Sequence, residues 1–190
     1  MNIDVKLISH PTLGKIHFKK SSKAKYLRLS IDSSKIINVT IPRNSTMQNA
    51  EKFLKSKTGW IHKHLSKIDQ RNNFTLQNLK NSNIYKKDEA KKIIRDRLNE
   101  LSITHQLSFN RSFIRSQKTR WGSCSVKNNI NLNIKLINLP EDLRDYVIIH
   151  ELVHTKIKNH SQIFWKEMTK YYSDPKAIDK KLRKYNLKLL

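Results

Sequence analysis

The segment from His150 to His160 places the strongest constraint on how this 190-residue chain folds. It begins His-Glu-Leu-Val-His, and a third histidine follows six residues after the second. Residues four apart on an α-helix lie on one face, about 6 Å apart along the axis. His150 and His154 can therefore direct two imidazoles at one metal ion, while Glu151 reaches a water on that ion. Zinc hydrolases need this combination of fixed nitrogen ligands, an open coordination position and a carboxylate base.

His160 can join the other two histidines only if the helix ends before it. In a continuing helix, six residues turn through about 600° and rise by roughly 9 Å, which would carry His160 away from the ion. We expect the chain to turn back after about Ile157, with the break near Asn159, because asparagine tolerates a left-handed backbone. The alternative third ligand is Glu167, 13 residues after His154, as in zincins that use a glutamate. We favour His160.

A second motif, Arg120-Trp121-Gly122-Ser123-Cys124, precedes the histidine segment. Its glycine permits a tight turn or a close backbone approach. Arg120 and Ser123 can donate hydrogen bonds to a substrate carbonyl or to an oxyanion. In the equally weighted alternative, Arg120 pairs with a structural carboxylate while Trp121 fills the core.

Two further side-chain types bear on the site. One tyrosine of the pair Tyr171 and Tyr172 is an additional candidate for holding an oxyanion. Cys124 is the single cysteine of the chain, so we expect no internal disulfide. Because three histidines already suffice for a zinc site, we expect no ligand role for Cys124 either.

These motifs resemble those of the YgjP-like zinc metallopeptidases, a minimal zincin family related to the SprT-like proteases. The resemblance is strongest over residues 88–185, and it extends more weakly toward the amino terminus. Its further elements are Asn159-His160-Ser161, Phe164-Trp165, Tyr26-Leu27-Arg28-Leu29 and Trp60-Ile61. It implies a minimal zincin-like fold, with zinc ligands His150, His154 and His160 and the catalytic carboxylate Glu151.

The charge of the chain raises the question of nucleic acid. There are 39 basic and 15 acidic residues, a net charge of +24, and such an excess can hold phosphates. Residues 1–80 carry 16 basic and 4 acidic residues, and residues 81–190 carry 23 and 11, so neither half is a concentrated basic arm. We expect weak, non-specific nucleic-acid binding.

The same composition bears on location. No apolar run approaches the roughly 18 residues of a membrane-spanning helix, and the amino terminus lacks the features of a signal peptide. With a single cysteine, these features predict a cytoplasmic protein without a membrane partner. The sequence carries no signal for an oligomeric state.

The amino-terminal part is predicted to be rich in β-structure. Alternating segments over 15–19, 26–31 and 37–41 indicate a small antiparallel meander. A helix is expected over 47–68, followed by a linker over 69–83. These features predict an amino-terminal domain over residues 1–80 and a catalytic domain over 81–190, with one continuous domain as the alternative.

The carboxy-terminal part alternates helices and strands. Helices are predicted over 88–105, 140–157 and 176–187, with another after His160 that carries Ile163, Phe164, Trp165 and Met168. We expect the aromatic side chains of this helix to pack under the metal site. Strands are expected over 107–115 and 129–137. The second strand is expected to be half-buried, with Ile130, Leu132, Ile134 and Leu136 on its buried face and Asn131, Asn133 and Lys135 on the other. The fold class is therefore α+β, with a small mixed sheet packed on the metal-bearing helix. In zincins a strand beside that helix pairs its edge with an extended substrate, so the strand over 129–137 or its neighbour could bind substrate.

The expected function is zinc-dependent hydrolysis of peptide bonds, with one Zn²⁺ per chain. A zinc-activated water would attack the bond, and Glu151 would act as the general base. The alternatives are a SprT-like protease acting on nucleic-acid-bound proteins, a nucleic-acid-binding module with structural zinc, and a nuclease or other zinc hydrolase. A structural zinc needs four protein ligands, and the sequence offers three convincing ones, which favours catalysis.

Overall fold

The structure is a computed structural model that describes residues 5–79 and 85–190. Contacts divide the chain into two compact units, Met1–Asn73 and Phe74–Leu190, and each has its own hydrophobic core. The predicted linker over 69–83 is wrong for residues 69–79, which continue a helix, and the rest of it lies outside the described residues. The proposed domains 1–80 and 81–190 stay a prediction.

The amino-terminal unit contains a four-stranded sheet in the order β1-β2-β4-β3. The strands are β1 (Val5–His10), β2 (Gly14–Ser21), β3 (Arg28–Ile31) and β4 (Ile37–Pro42). The predicted antiparallel meander is wrong, because β2 pairs with β4 in parallel and β3 lies at the edge. A meander would put β3 in the centre, but β3 is only half-buried. β4 carries the buried side chains that a central position requires.

Two helices follow this sheet where one was predicted. Helix α1 spans Met47–Ser56 and α2 spans Thr58–Leu79, with the break at Lys57. The Thr46 side chain caps α1 by accepting the Asn49 N–H. At the break, the hydroxyls of Ser56 and Thr58 donate to backbone carbonyls of the last turn of α1. Such local bonds compete with helix continuation.

The carboxy-terminal unit mixes helices with a three-stranded sheet, and it confirms the α+β class. Its elements are α3 (Lys87–Thr104), β5 (Ser112–Arg115), β6 (Gly122–Cys124), β7 (Ile130–Asn133), a 3-10 segment (Ile134–Asn138), α4 (Glu141–Val153), α5 (Gln162–Met168) and α6 (Pro175–Leu182). The sheet order is β5-β7-β6, with β5 parallel and β6 antiparallel to β7. The sheet and α4 share one core.

Two predicted strands are shorter in the structure. The strand over 107–115 begins only at Ser112, after a loop in which Leu107 is fully buried. The strand over 129–137 ends at Asn133, where the 3-10 segment begins. Asn133 is buried rather than exposed, and its side chain accepts the Lys135 N–H. The strand prediction made from the alternating pattern is therefore wrong from Asn133 onward.

The helix predicted over 140–157 ends earlier, at Val153, with His154 as its cap. The turn that follows this helix is tightened by two hydrogen bonds to the Leu152 carbonyl, one from the Thr155 N–H and one from the Thr155 hydroxyl. The predicted left-handed break at Asn159 is wrong, since the described non-glycine residues with positive φ are Lys35, Gln106 and Asn128. The last helix also stops early, at Leu182. No helix in the described ranges is long and apolar enough to cross a membrane.

Candidate metal centre

Helix α4 is held rigidly in the core of the carboxy-terminal unit. Most of its side chains are buried, including Leu143, Ile148 and Leu152. A bidentate ion pair joins α4 to α3. Arg97 donates from Nε to Asp145 Oδ1 at 3.0 Å and from Nη2 to Asp145 Oδ2 at 2.5 Å. Such bidentate pairs impose a specific geometry. Side chains on α4 therefore project from a fixed support.

Three imidazoles converge at the end of this helix. The Nε2 atom of His160 lies 2.9 Å from His150 Nε2 and 3.1 Å from His154 Nε2. The early end of α4 makes this possible, because the turn after His154 brings the chain back to the helix face. The Phe164 ring of α5 packs against all three imidazoles, with ring centroids 4.9, 4.5 and 4.9 Å away. This contact confirms the predicted aromatic support beneath the site.

The hydrogen bonds and charge states of the histidines suit a bound cation. His154 Nδ1 lies 2.8 Å from the Ile157 carbonyl, which can only accept, so Nε2 presents its lone pair to the cluster. Burial, together with the charges of the neighbouring His154 and His160, lowers the pKa of His150 to about 3. Burial also lowers the pKa of His154. Neutral imidazoles whose lone pairs face each other repel unless a cation lies between them.

The spacing of these nitrogens also fits a small metal ion. Zinc binds histidine nitrogens at about 2.0–2.1 Å, which places tetrahedral ligand atoms roughly 3.3 Å apart. The observed separations of 2.9 and 3.1 Å are close to that value. Within the described residues, these three histidines are the group able to hold a metal ion. The donor set is therefore suited to one ion.

The rival ligand Glu167 has other partners. Its carboxylate pairs with Lys170 at 2.6 Å and accepts a bond from the Tyr171 hydroxyl at 3.4 Å. The ring of Tyr172 packs edge-on against Tyr146. The structure thus brings neither Glu167 to the histidine cluster nor the two tyrosines to the cleft beside it.

A cleft of about 410 Å³ opens over the histidines. Residues Arg120–Cys124 form one wall, so the two sequence motifs meet in space as the candidate site requires. Arg120 forms no ion pair with any described residue, and its charge acts on the Glu151 carboxyl. Trp121 is half-buried against the core. Ser123 lines the cleft, while Cys124 lies outside the histidine cluster.

Gly122 lies directly against the candidate base. A Cβ at this position would come within 2.6 Å of Glu151 Cγ and 2.7 Å of its Oε1, so the close backbone approach is confirmed. Glu151 is only 7% exposed. Burial raises the pKa of the Glu151 carboxyl to about 8, and the charge of Arg120 opposes that rise. A divalent cation at the histidines would oppose it further.

Two supporting residues were missed in the sequence. The buried Asn133 amide donates to the carbonyls of Gln117 and Arg120, both at 2.8 Å, and so holds the loop that leads into the Arg120–Cys124 wall. Lys158 donates to Asn128 Oδ1 at 2.5 Å and to the Ser125 carbonyl at 2.9 Å. This second set ties the turn before His160 to the β6–β7 connection. Neither role has a local sequence signal.

The contact between Gly122 and Glu151 gives a direct prediction. Gly122→Ala should displace the Glu151 side chain, and we expect peptide hydrolysis to fall at least about tenfold, or 1.4 kcal/mol in the barrier. Metal content should stay unchanged because the histidines are untouched. Gly59→Ala is the matched control, since a Cβ there meets no atom within 4 Å. Full activity in Gly122→Ala would show that this contact does not position the base.

Three imidazoles, a buried carboxylate and an open cleft are the parts that a metallohydrolase site requires. The family model described as "YgjP-like, metallopeptidase domain" matches residues 25–86 and 76–185. The chain therefore belongs to the YgjP-like metallopeptidase family, which confirms the resemblance in its sequence motifs.

Individual relatives match about half of the chain. An uncharacterized protein of Methanocaldococcus jannaschii is 39% identical over 93 residues, which cover 45% of this chain and 83% of that protein. The metallopeptidase zymogen jannalysin of the same organism is 31% identical, with a TM-score of 0.43, over 51% of this chain and 97% of its own. The metallopeptidase zymogen abylysin of Pyrococcus abyssi is 28% identical, with a TM-score of 0.42, over 47% and 90%.

Proposed function

We propose that this chain is a zinc-dependent peptidase in which His150, His154 and His160 hold one Zn²⁺ and Glu151 is the general base. The observation that carries the proposal is the convergence of three imidazole nitrogens beside a buried carboxylate. Membership of a metallopeptidase family supplies the reaction class. All four residues lie in one cleft, which a substrate can enter from solvent.

The ligand set supports zinc in a catalytic rather than a structural role. Imidazole is a usual zinc ligand, and catalytic zinc sites have three protein ligands with a water in the fourth position. Structural zinc sites have four protein ligands, whereas the cluster among the described residues has three. Cys124, the nearest potential soft ligand, lies instead 3.6 Å from Lys158 Nζ. A structural-zinc module is therefore the weaker alternative.

The chain's own groups would carry the proton transfers. When bound, zinc would polarise the scissile carbonyl and make the attacking water more acidic. Glu151 would accept the proton of that water and deliver it to the leaving amine. Burial suits it to this task by raising its affinity for a proton. Arg120, with its charge near the cleft, is the candidate to stabilise the developing oxyanion.

An extended peptide is the substrate form that the cleft favours. Strand β6 lies at the edge of its sheet, while β7 is central, and the residues of β6 line the cleft. Because an edge strand offers unpaired backbone groups, a peptide can add to it through main-chain hydrogen bonds. The strand expected over 129–137 corresponds to β7, and its neighbour β6 is therefore the better candidate. Ser123, at its centre, can contact the bound chain.

Metal removal tests this function. Chelation should abolish hydrolysis of an unstructured protein such as casein, and activity should return in proportion to added zinc, up to about one ion per chain. Metal content is measured alongside activity at each step. Hydrolysis that survives complete removal of metal would contradict the proposal.

A protease acting on nucleic-acid-bound proteins is the second candidate, favoured by the net charge of +24. Added DNA or RNA would then accelerate casein hydrolysis, and the acceleration would disappear at high salt, because phosphate contacts weaken as salt rises. An ordinary peptidase would bind nucleic acid weakly without any acceleration. We expect the second result.

A further inference from the structure

The amino-terminal sheet has one buried face and one solvent face. Its buried side chains come from alternating positions on β2 and β4, among them Ile16, Phe18 and Val39. The intervening residues project into solvent on the other face. Lys19, Thr40 and Arg28 lie side by side in one row across three strands, and Leu7, His17, Asn38 and Ser30 form the next row. Lys15 lies two residues before His17 on the same face.

A depression continues this solvent face beyond the ends of β2 and β3. Its volume is about 610 Å³, and its lining includes Lys23, Lys25 and Tyr26 together with Arg28 and Thr40. Since Arg28 and Thr40 also belong to the first row, the depression and the sheet form one surface. We call this surface the basic face, defined by Lys15, Lys19, Lys23, Lys25, Arg28 and Tyr26. All six residues are exposed.

The cations of the basic face are unpaired with acidic side chains in the part of the unit that the structure describes. None of its five forms an ion pair with a described residue of the unit. The described acidic residues of this unit are Asp32, Glu51 and Asp69. Asp32 accepts N–H bonds within the β3–β4 turn, Glu51 lies on α1, and Asp69 pairs with Lys35. An ordinary solvated surface intersperses both signs of charge, so the charge of this face suits an anionic partner.

Tyr26 indicates which polyanion fits. It is 82% exposed and lies in the depression among three cations. A large, exposed aromatic ring beside cations is the arrangement with which proteins bind single strands, by stacking bases and contacting phosphates. A duplex keeps its bases stacked internally, and a lipid headgroup has no base to stack. The combination therefore favours a single strand over both.

We propose that the basic face binds single-stranded nucleic acid without sequence preference, with a base stacked on Tyr26 and phosphates on the surrounding lysines and Arg28. The proposal uses only the amino-terminal unit and does not depend on the peptidase assignment. It differs from general attraction by a highly charged chain, because it assigns the binding to one face. That difference is what the test measures.

Two charge-reversal variants of the full chain separate these possibilities. One carries Lys19→Glu, Lys25→Glu and Arg28→Glu, and the control carries Lys52→Glu, Lys55→Glu and Lys63→Glu on α1 and α2. All three control lysines are exposed in the same unit, so the two variants have equal net charge. Binding to a fluorescent oligothymidylate is followed by anisotropy over a range of salt concentrations.

We expect the face variant to lose at least about 30-fold in affinity and two to three units of the logarithmic salt slope, and the control to lose under about threefold. Equal losses in the two variants would overturn the proposal, because charge alone would then explain binding. Corresponding glutamine substitutions at the same six positions should give the same ranking with smaller effects. Melting temperature, unchanged in both variants, establishes that the chain is folded.

Tyr26 tests the nature of the partner. Tyr26→Ala should weaken oligothymidylate binding by about tenfold, while Tyr26→Phe, which keeps the ring, should bind as the parent does. Tyr26→Ala and the parent should have the same affinity for a duplex of equal length. If Tyr26→Ala bound the single strand normally, the single-strand assignment would be wrong. Binding to phosphatidylserine vesicles is measured for comparison. A face variant that bound the vesicles more weakly but kept its affinity for oligothymidylate would also contradict the assignment.

Discussion

Glu151→Gln should lower casein hydrolysis by about a hundredfold or more while zinc content stays at one ion per chain. Glutamine is nearly isosteric with glutamate but cannot accept the proton of the attacking water. Because Glu151 is buried and its pKa is raised to about 8, a neutral amide at this position avoids the cost of burying a charge. The folded state should therefore be at least as stable, which separates loss of chemistry from loss of structure.

The matched control is Glu141→Gln, the same substitution on the first turn of the same helix. Glu141 is exposed, and its carboxylate lies 3.8 Å from Arg144, so its loss should leave activity unchanged and stability within about 1 kcal/mol. Zinc content, melting temperature and turnover are measured for both variants. Loss of zinc in Glu151→Gln would make Glu151 a ligand or a structural residue, and full activity would remove it from the mechanism.

The positions in the candidate site that agree with the structure depend on local sequence. The spacing of His150, Glu151 and His154 places them on one helix surface, whatever the rest of the fold does. The same periodicity predicted α3 and α5, including the position of Phe164 beneath the histidines. Gly122 could be recognised as a point of close approach, although its neighbour Glu151 was not identified.

The errors come from interactions between distant residues. Asn131 and Asn133 look alike in an alternating strand, but only Asn133 meets the free carbonyls of Gln117 and Arg120. That encounter buries its side chain and ends β7. The local sequence pattern cannot predict these two hydrogen bonds. The burial of the Asn133 side chain therefore could not be predicted from the periodicity of the strand.

The prediction of the amino-terminal sheet topology was wrong for a related reason. Each strand was recognisable from its alternation, except β1, which was not separately predicted. The choice of neighbours depends on which strand is central. β4, with buried Ile37, Val39 and Ile41, takes that position and pairs on both edges. The pairing of β4 with both β2 and β3 places Lys19 and Arg28 in one row, which is the arrangement that the proposed basic face needs.

The proposed third ligand, His160, gives the other large expected effect. His160→Ala should weaken zinc binding by more than about a hundredfold, since even partners of metal ligands contribute 10–100-fold. Glu167→Ala should bind zinc as the parent does, because its carboxylate already pairs with Lys170 and Tyr171. His160 is exposed, so its truncation should cost the metal-free protein little stability. The two substitutions therefore differ in metal affinity rather than in folding.

Thermal unfolding with and without zinc measures this difference. A ligand that binds only the folded state stabilises it by about 2.7 kcal/mol at a hundredfold excess over its Kd. At that zinc concentration the parent and Glu167→Ala should both show a full rise in melting temperature. A hundredfold weaker site is only half-filled at the same concentration, so His160→Ala should retain about 0.4 kcal/mol of the stabilisation. A full rise in His160→Ala together with its loss in Glu167→Ala would assign the third ligand to Glu167, and the chain between His154 and Glu167 would then have to rearrange when the ion binds.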